Sequence, residues 1–268
     1  MIRLEDVHAG YGAREALHGV NLEISAGEMV GLLGPNGSGK STLLLAMAGN
    51  LAPSRGRVLL DGRDIRGVGR KERARMLACV GQSPASDSRL TVEELALLGR
   101  YPHLGLFGVY TAEDRAFARQ ALRDTDLEPL ARRCLCELSG GELKRAYLAR
   151  ALAQDARMLL LDEVSAGLDA GRLVMVHDLL AQKIREGRSM AAAIHDINLA
   201  ALYCSRLIVL KQGRVVLDGP PQTVMTEDNL REIYQTRMVS VTHPLTGAPQ
   251  AHLAPGGWNA GPRRPAGG

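Results

Sequence analysis

A glycine-rich segment near the N-terminus has the composition of a phosphate-binding loop. Residues 34–41 are Gly-Pro-Asn-Gly-Ser-Gly-Lys-Ser, which satisfies the spacing G-x-x-x-x-G-K-S. Glycines let backbone N–H groups converge on phosphate oxygens, while Lys40 would neutralise the β and γ oxygens and Ser41 would hold Mg²⁺. The predicted binding residues are Gly34, Pro35, Asn36, Gly37, Ser38, Gly39, Lys40, Ser41 and Thr42.

Two adjacent carboxylates, Asp162 and Glu163, follow the apolar run Met158–Leu161. If that run is a strand of a parallel sheet, both acids lie at its carboxyl edge, where ligands of such sheets bind. Asp162 would then bind the magnesium ion, and Glu163 would polarise a water in line with the γ-phosphate. The alternative is an acidic turn that only ends the strand.

A double glycine in the middle of the chain has two interpretations. Ser139 as the N-cap and Glu142 at the third helical position would form a capping box, which needs no further function. Glycine is, however, a poor helical residue by about 1 kcal/mol. At a helix N-terminus, Gly140 and Gly141 would expose backbone N–H groups to an anion. The segment is therefore a candidate for a second phosphate contact.

The elements that must position these residues alternate between strands and helices. Apolar runs predict strands at Arg3–Val7, Val20–Ile24, Met29–Leu33, Met158–Leu161, Met190–Ile194 and Leu207–Leu210. Helical patterns cover Lys40–Asn50, Leu173–Glu186 and Ile197–Cys204. Apolar strands separated by helices predict an α/β fold with a parallel sheet covered on both faces.

Two further regions differ from this alternation. The stretch Thr91–Asp155 is helical in pattern, with capping boxes at Thr91–Glu94 and Ser139–Glu142, which predicts a helical lobe inserted at about 87–155. After about Thr242 the chain becomes rich in proline and glycine. We expect a C-terminal extension over 242–268, largely disordered from about 254, because its apolar content is too small to offset ordering.

The composition excludes several classes of protein. The chain has 268 residues, of which 46% are hydrophobic and 23% charged, the balance of an ordinary globular protein. Its four cysteines are too irregularly spaced for a disulfide framework and predict free buried thiols: Cys79, Cys134, Cys136 and Cys204. Charges begin at Arg3, which argues against a secretory signal, and no run approaches the roughly 18 apolar residues of a membrane span.

The net charge of +4 is concentrated in one segment. Residues 55–75 contain eight basic and three acidic side chains, a local balance of +5, and the rest of the chain sums to −1. We predict that this segment is mainly a solvated face. A nucleic-acid partner would instead require it for salt-sensitive binding.

Together, the motifs resemble the nucleotide-binding subunit of an ATP-binding-cassette (ABC) transporter over nearly all of residues 1–234. The resemblance is carried, in order, by the glycine loop, Gln82, Leu138-Ser-Gly-Gly-Glu142, Asp162-Glu163, Leu168-Asp169 and His195. It implies a P-loop NTPase (RecA-like) fold at 1–241, with a mostly parallel sheet, an antiparallel β subdomain and the inserted helical lobe. It also implies ATP and Mg²⁺ as cofactors.

The same resemblance implies roles for single residues. Tyr11 matches the aromatic residue that stacks on adenine, and Gln82 matches the loop that senses magnesium and the membrane partner. His195 matches the switch histidine on the γ-phosphate, which makes it a catalytic candidate beside Glu163. Both differences from the family lie in the loop Asp162–Asp169. Val164 stands where the family usually has proline, and Gly167 is expected to loosen this loop.

The resemblance further implies a head-to-tail homodimer bridged by ATP. In it Ser139, Gly140 and Gly141 of one subunit close on the γ-phosphate held by Lys40 of the other. Asp169, in the neighbouring loop, belongs to the same predicted cofactor-binding set.

Short strings point to one branch of the family. They are similar to ATPases that power import of ferric siderophores, haem and cobalamin, and lie at Leu98–His103, Thr111–Asp114, His195–Asn198 and Leu217–Pro221. This predicts an ATP-hydrolysing subunit at the cytoplasmic face of the membrane, bound to a separate permease that works with a solute-binding protein. The alternatives are a soluble ABC ATPase that acts on nucleic acid or in cofactor assembly, and an export ATPase.

Overall fold

The computed structural model describes residues 1–12, 14–81, 89–105 and 108–255. Its strands are β1 (Ile2–Tyr11), β2 (Arg14–Ile24), β3 (Met29–Leu33), β4 (Arg55–Leu60), β5 (Arg63–Asp64), β6 (Leu77–Val80), β7 (Met158–Asp162), β8 (Ser189–Ala193), β9 (Arg206–Lys211), β10 (Arg214–Gly219), β11 (Met238–Thr242) and β12 (Pro249–Leu253). The α-helices are α1 (Lys40–Met47), α2 (Arg70–Met76), α3 (Val92–Leu98), α4 (Ala112–Asp124), α5 (Gly140–Ala153), α6 (Ala170–Arg185), α7 (Ile197–Tyr203), α8 (Pro221–Val224) and α9 (Glu227–Tyr234).

A six-stranded sheet of order β10-β9-β3-β8-β7-β6 forms the centre of the molecule. Every pair from β9 to β6 is parallel, and only β10 runs antiparallel to its neighbour. All residues of β3, β7 and β8 are buried, because apolar clusters cover both faces of the sheet. The predicted parallel α/β sheet is confirmed, and the predicted strands in it match within two residues at each end.

The register of the sheet aligns the ends of its central strands. Ala193 pairs with Leu32 on one side and with Asp162 on the other. The segments that leave β3, β7 and β8 therefore emerge side by side at the carboxyl edge, which is where the glycine loop, Glu163 and His195 begin.

A second sheet, of order β2-β1-β4-β5, is entirely antiparallel. It confirms the antiparallel β subdomain that the family resemblance implies. Its inward residues, among them Ile2, Leu4 and Leu17, pack in the same apolar cluster as α1. The long strands β1 and β2 pair with three register shifts, so their side chains do not alternate regularly.

Three helices, α3, α4 and α5, pack on each other and form the predicted helical lobe. Capping boxes start each of them, at Thr91–Glu94, Thr111–Asp114 and Ser139–Glu142. The first and third confirm predictions from the sequence. The second uses aspartate in place of the usual glutamate or glutamine, and the sequence analysis did not identify it as a helix start.

The last described segment of the chain forms a small β-hairpin. The expected boundary after residue 241 falls inside β11, and β11 forms an antiparallel hairpin with β12. Asn198 on α7 holds β12 twice: its Nδ2 donates to Ala251 O at 3.0 Å, and Ala251 N donates to its Oδ1 at 2.7 Å. Ordered structure thus continues through residue 253, while the prediction for the tail beyond 255 lies outside the described residues.

The four cysteines are all free, but they are not all buried. Burial raises the pKa of Cys79 to about 11 and that of Cys204 to about 12, so both thiols stay protonated at neutral pH. The prediction of buried thiols is wrong for Cys136, which is exposed in a short turn before α5, and for Cys134, which is only partly buried.

Most of the basic segment 55–75 is partnered within the molecule. Four arginines form ion pairs, namely Arg55 with Asp6, Arg57 with Glu5, Arg63 with Glu72 and Arg66 with Asp64. Lys71 and Arg75 donate to the backbone carbonyls of Leu104 and Pro102, and so connect α2 to the helical lobe. Glu72 and Asp64 are already counted in the local balance, so the outside carboxylates Asp6 and Glu5 reduce the excess of charge from +5 to +3. Within the described ranges, each helix is too short or too polar to span a bilayer.

Candidate nucleotide-binding site

The glycine loop connects the end of β3 to the start of α1, as the sequence predicts. Gly34, Gly37 and Gly39 have φ angles of 136°, 76° and 108°, which only glycine adopts readily. At Gly34 a Cβ atom would also lie 2.1 Å from the carbonyl oxygen of Leu210. The loop therefore needs glycine at all three positions for its turn, and at Gly34 also for its close approach to β9.

Lys40 lies beneath this loop with only 7% of its surface exposed. Its ammonium group donates to Gly34 O at 2.7 Å and to Pro35 O at 3.2 Å. Burial lowers the pKa of Lys40, and the nearby Glu163 and Asp162 carboxylates oppose that shift. A fixed positive charge thus stands between the loop and the two acids, where phosphate oxygens would enter.

Two buried oxygens of this site have no hydrogen-bond partner among the described residues: Ser38 Oγ and Asp162 Oδ1. Burial raises the pKa of Asp162, while a hydrogen bond from Ser41 opposes the shift. Leaving such an atom unpaired costs about 1–3 kcal/mol, so both oxygens are suited to an exogenous partner. Carboxylate and hydroxyl oxygens are ligands that Mg²⁺ prefers. The residues present therefore fit a magnesium–nucleotide complex.

Glu163 and His195 come together at the same edge. The imidazole Nε2 of His195 lies 2.6 Å from Oε1 of Glu163. The Glu163 backbone has φ 55°, in the left-handed region, and its N–H donates to Ala193 O at 3.2 Å. This conformation is unfavourable for a residue with a side chain, and it persists because the sheet edge holds it. It turns the carboxylate towards the glycine loop, where Glu163 lines the same cavity as Lys40.

A cavity of about 410 Å³ opens above the loop. Besides the loop residues and Glu163, its lining consists of Tyr11, Arg14 and Ala16. Tyr11 is 57% exposed at the end of β1, so its ring is available to a planar ligand. Arg14, its neighbour in the β1–β2 pairing, was not identified from the sequence; its cross-strand position opposite Tyr11 is the signal that could have revealed it.

The remaining predicted binding residues lie in a second, separate cavity. Its lining includes Ser139, Gly140, Gly141, Asp169 and the cationic side chains Lys144, Arg145 and Arg172. Ser139 and Asp169 each cap a helix, α5 and α6 respectively. Within one chain, the structure therefore does not bring Ser139 to Lys40. The three cations could not be identified from the sequence, because only the fold places them beside the two glycines.

Gln82, predicted for both cofactor and metal binding, lies outside the described residues.

The loop between Glu163 and Asp169 connects the two cavities and is held at several points. Ala166 N donates to Glu163 O, Lys144 donates to Ala166 O, and His177 Nε2 lies 3.1 Å from Ser165 Oγ. Gly167 has φ 76°, so its backbone takes the conformation that glycine favours. Val164, at the position of the usual proline, is buried. The expected loosening by Gly167 is thus opposed by fixed contacts on both sides of it.

His177 is the most buried of these contacts, with 1% of its surface exposed. Its ring packs against that of Tyr203 with a centroid distance of 5.0 Å, and its buried Nδ1 has no hydrogen-bond partner in the part of the chain that the structure describes. Burial lowers the pKa of His177 to about 4, although Asp178 and Asp196 oppose the shift. The imidazole is therefore neutral under ordinary conditions.

Acidification is expected to destabilise the folded state through His177. Because the folded pKa of about 4 lies below the ordinary value of 6.5, the unfolded chain binds the proton more readily. The stabilising contribution is complete above pH 6.5 and is lost as the pH falls towards 4. Urea unfolding across this range should show the wild-type free energy falling by about 3 kcal/mol more than that of His177→Gln. Equal pH slopes for the two proteins would contradict the assignment.

Comparisons with known proteins agree with this geometry. The sequence profile of the family described as "ABC transporter" matches residues 17–166. Ferric enterobactin transport ATP-binding protein FepC of Escherichia coli is 36% identical over 249 residues, covering 92% of each chain. Hemin import ATP-binding protein HmuV of Nocardia farcinica is 42% identical over 236 residues, covering 88% of this chain and 81% of that one.

One similar solved structure is a dimer. The ATP-binding cassette MJ0796, solved as a dimer in a post-hydrolysis state bound to ADP and Pi, superposes with a TM-score of 0.74 at 30% identity. The match covers 82% of this chain and 98% of that one.

Proposed function

This chain belongs to the ABC transporter family, and from that membership and its site we propose that it is the ATP-hydrolysing subunit of an importer for a metal chelate. The observation that carries the proposal is the convergence of Lys40, Asp162 and Glu163 at one sheet edge, beside a cavity open to a nucleotide. The Lys40 ammonium is positive and can neutralise phosphate oxygens, while the two carboxylates are negative and can hold a metal ion and accept a proton.

The proposed chemistry assigns one task to each group. Backbone N–H groups of the glycine loop and the Lys40 ammonium neutralise the β and γ oxygens of ATP. Water attacks the γ-phosphorus, the bond to the β–γ bridging oxygen breaks, and Glu163 accepts the proton of the attacking water. His195, 2.6 Å from the Glu163 carboxylate, orients it. The products are ADP and inorganic phosphate.

Magnesium would be held by Ser41 and Asp162, with Gln82 as a further predicted ligand. The unpartnered Asp162 Oδ1 supports this assignment. The ion would offset the negative charge of the β and γ oxygens when bound. Tyr11, exposed at the mouth of the cavity, would stack on the adenine ring.

The second cavity supports a head-to-tail dimer. Its N–H groups at Gly140 and Gly141, beside the cations Lys144, Arg145 and Arg172, would bind an anion, and the glycine loop of the same chain does not line this cavity. A partner's γ-phosphate, held on the partner's glycine loop, would supply the anion. The dimeric form of MJ0796 supports a dimer of this chain.

The transport role rests on the two named relatives, one a ferric enterobactin transport protein and the other a hemin import protein. They support a cargo of the metal-chelate class, which includes ferric siderophores, haem and cobalamin. In this proposal the chain is peripheral to the membrane, bound through a separate permease, and a solute-binding protein delivers the cargo.

ATP hydrolysis by the purified chain is expected to rise several-fold when it is reconstituted in lipid vesicles with the permease encoded beside it. The expected rise follows because the permease brings two cassettes together and so completes both sites. Phosphate release is measured with and without permease, and with Lys40→Ala as the inactive control. No stimulation by any neighbouring permease would contradict the importer proposal. Stimulation by DNA or RNA that is lost at high salt would favour the nucleic-acid alternative instead.

A further inference from the structure

A cluster of three potential metal ligands lies on the antiparallel sheet, outside the nucleotide site. It consists of His8 on β1 and of Glu15 and His18 on β2. One ligand atom from each of the three lies within 4.8 Å of the other two. All three side chains are partly exposed, by 21%, 40% and 33% respectively, so an ion can reach them from solvent.

Strand irregularity brings the cluster together. In an unbroken strand, Glu15 and His18 would face opposite sides, because they are three residues apart. The pairing runs from Gly10–Glu15 directly to Ala9–Leu17, so β2 holds one extra residue, Ala16, at that point. The extra residue places Glu15 and His18 on one side of the sheet. His8, between the inward Val7 and Ala9, faces the same side.

The distances suit a shared ion. Glu15 lies between the two imidazoles: His8 Nδ1 is 3.3 Å from its Oε1, and His18 Nδ1 is 2.9 Å from its Oε2. Ligand atoms bonded to one tetrahedral zinc ion at 2.0–2.1 Å are about 3.3 Å apart. The three ligand atoms lie within 4.8 Å of one another, so they must approach by at most about 1.5 Å to share one cation.

A neighbouring carboxylate orients one of the imidazoles. Asp6 Oδ1 lies 3.4 Å from His8 Nε2, the ring nitrogen that faces away from Glu15. Histidine ligands of metals usually donate their second N–H to such a carboxylate, which fixes the tautomer and ring orientation. Asp6 is itself held by Arg55, whose Nη2 is 3.0 Å from its Oδ2. Asp6, held by Arg55, therefore orients the His8 ring so that its other nitrogen, Nδ1, is available as a metal ligand.

We infer that His8, Glu15 and His18 form a binding site for a divalent first-row transition metal ion of the zinc, nickel or copper class. Two imidazoles and one carboxylate favour these ions over Mg²⁺, which prefers oxygen ligands alone. Water fills the remaining coordination positions, because the cluster is open to solvent. The site differs from the magnesium position at Ser41 and Asp162 in both its ligands and its sheet.

The site lies next to the nucleotide cavity along β2. Ala16, between two of its ligands, lines that cavity, and its carbonyl oxygen lies against Gly39 and Gly213, where added Cβ atoms would be 3.0 and 2.3 Å from it. A metal ion bridging β1 and β2 would therefore fix the strand that forms one wall of the cavity. The inference itself stands on the cluster and holds whether or not the chain drives transport.

Zn²⁺ titration of the untagged, nucleotide-free protein tests the site by isothermal calorimetry. We expect one equivalent to bind saturably, with His8→Gln, Glu15→Gln and His18→Gln each weakening the affinity at least tenfold. Asp6→Asn should weaken it about tenfold by releasing His8. His252→Gln, at an exposed histidine of β12, and Cys136→Ser, at the exposed thiol, should leave the affinity unchanged.

Co²⁺ provides an independent readout, because its visible absorption reports the ligand field. The wild type should develop absorption bands that excess Zn²⁺ removes and excess Mg²⁺ does not, and the three ligand variants should lack them. Far-UV circular dichroism identifies any variant that fails to fold, and the other two variants then decide. Absence of saturable Zn²⁺ binding, or equal binding by the wild type and all three variants, would overturn the inference.

Discussion

Glu163→Gln is expected to lower the kcat of ATP hydrolysis by about 10²–10⁴-fold while leaving ATP bound. The amide keeps the size of the carboxylate and one acceptor oxygen, but its NH2 group donates hydrogen bonds, and the side chain cannot accept a proton from the attacking water. Lys40 and the glycine loop are unchanged by the substitution, so the phosphate contacts remain.

The structure also predicts what the variant should accumulate. If hydrolysis stops while binding continues, the ATP-bridged dimer has no route to ADP, and the protein should elute as a dimer in the presence of ATP and Mg²⁺. Single-turnover phosphate release and size-exclusion chromatography measure the two effects. Glu232→Gln, at an exposed glutamate of α9, is the matched control and should behave as wild type. A normal hydrolysis rate in Glu163→Gln would show that another group accepts the proton.

Mixing two inactive variants is expected to restore ATP hydrolysis. Lys40→Ala removes the cation under the glycine loop, and Ser139→Arg fills the approach to Gly140 and Gly141 in the second cavity. Each variant alone damages both sites of a head-to-tail dimer. In a mixed dimer both defects fall on one site, and the other site is intact.

The restored rate has an upper limit. Random mixing makes half the dimers mixed, each with one of two sites intact, so the rate should rise above either variant alone to at most about one quarter of wild type. Lys40→Ala mixed with Glu163→Gln is the matched control, because both residues belong to the same chain's half-site. That mixture leaves one defect in each site and should stay inactive. Restoration in the control, or none in the test mixture, would contradict the dimer in which each site uses two chains.

The parallel sheet and the gathering of its catalytic candidates could be predicted from the sequence because both depend on local patterns. Continuous apolar runs identify buried strands, and parallel strands must present their carboxyl ends at one edge. Asp162, Glu163 and His195 each follow such a run, so their proximity follows from topology alone.

Other features depend on contacts between distant segments, which the sequence does not display. The left-handed backbone of Glu163 is imposed by the sheet edge and has no residue-type signal. The extra residue at Ala16 becomes visible only when β2 is paired with β1. Likewise, β11 and β12 lack a continuous apolar run, and the amide contacts from Asn198 to β12 span more than 50 residues.

The two hydrogen bonds between Asn198 and Ala251 connect the end of the described chain to the segment that carries His195. Asn198 lies in the first turn of α7, three residues after His195, and the same turn is capped by Asp196. A change in the segment that carries His195 must therefore move the β11–β12 hairpin with it or break both hydrogen bonds. The positions of the His195 segment and of the hairpin are therefore coupled through Asn198.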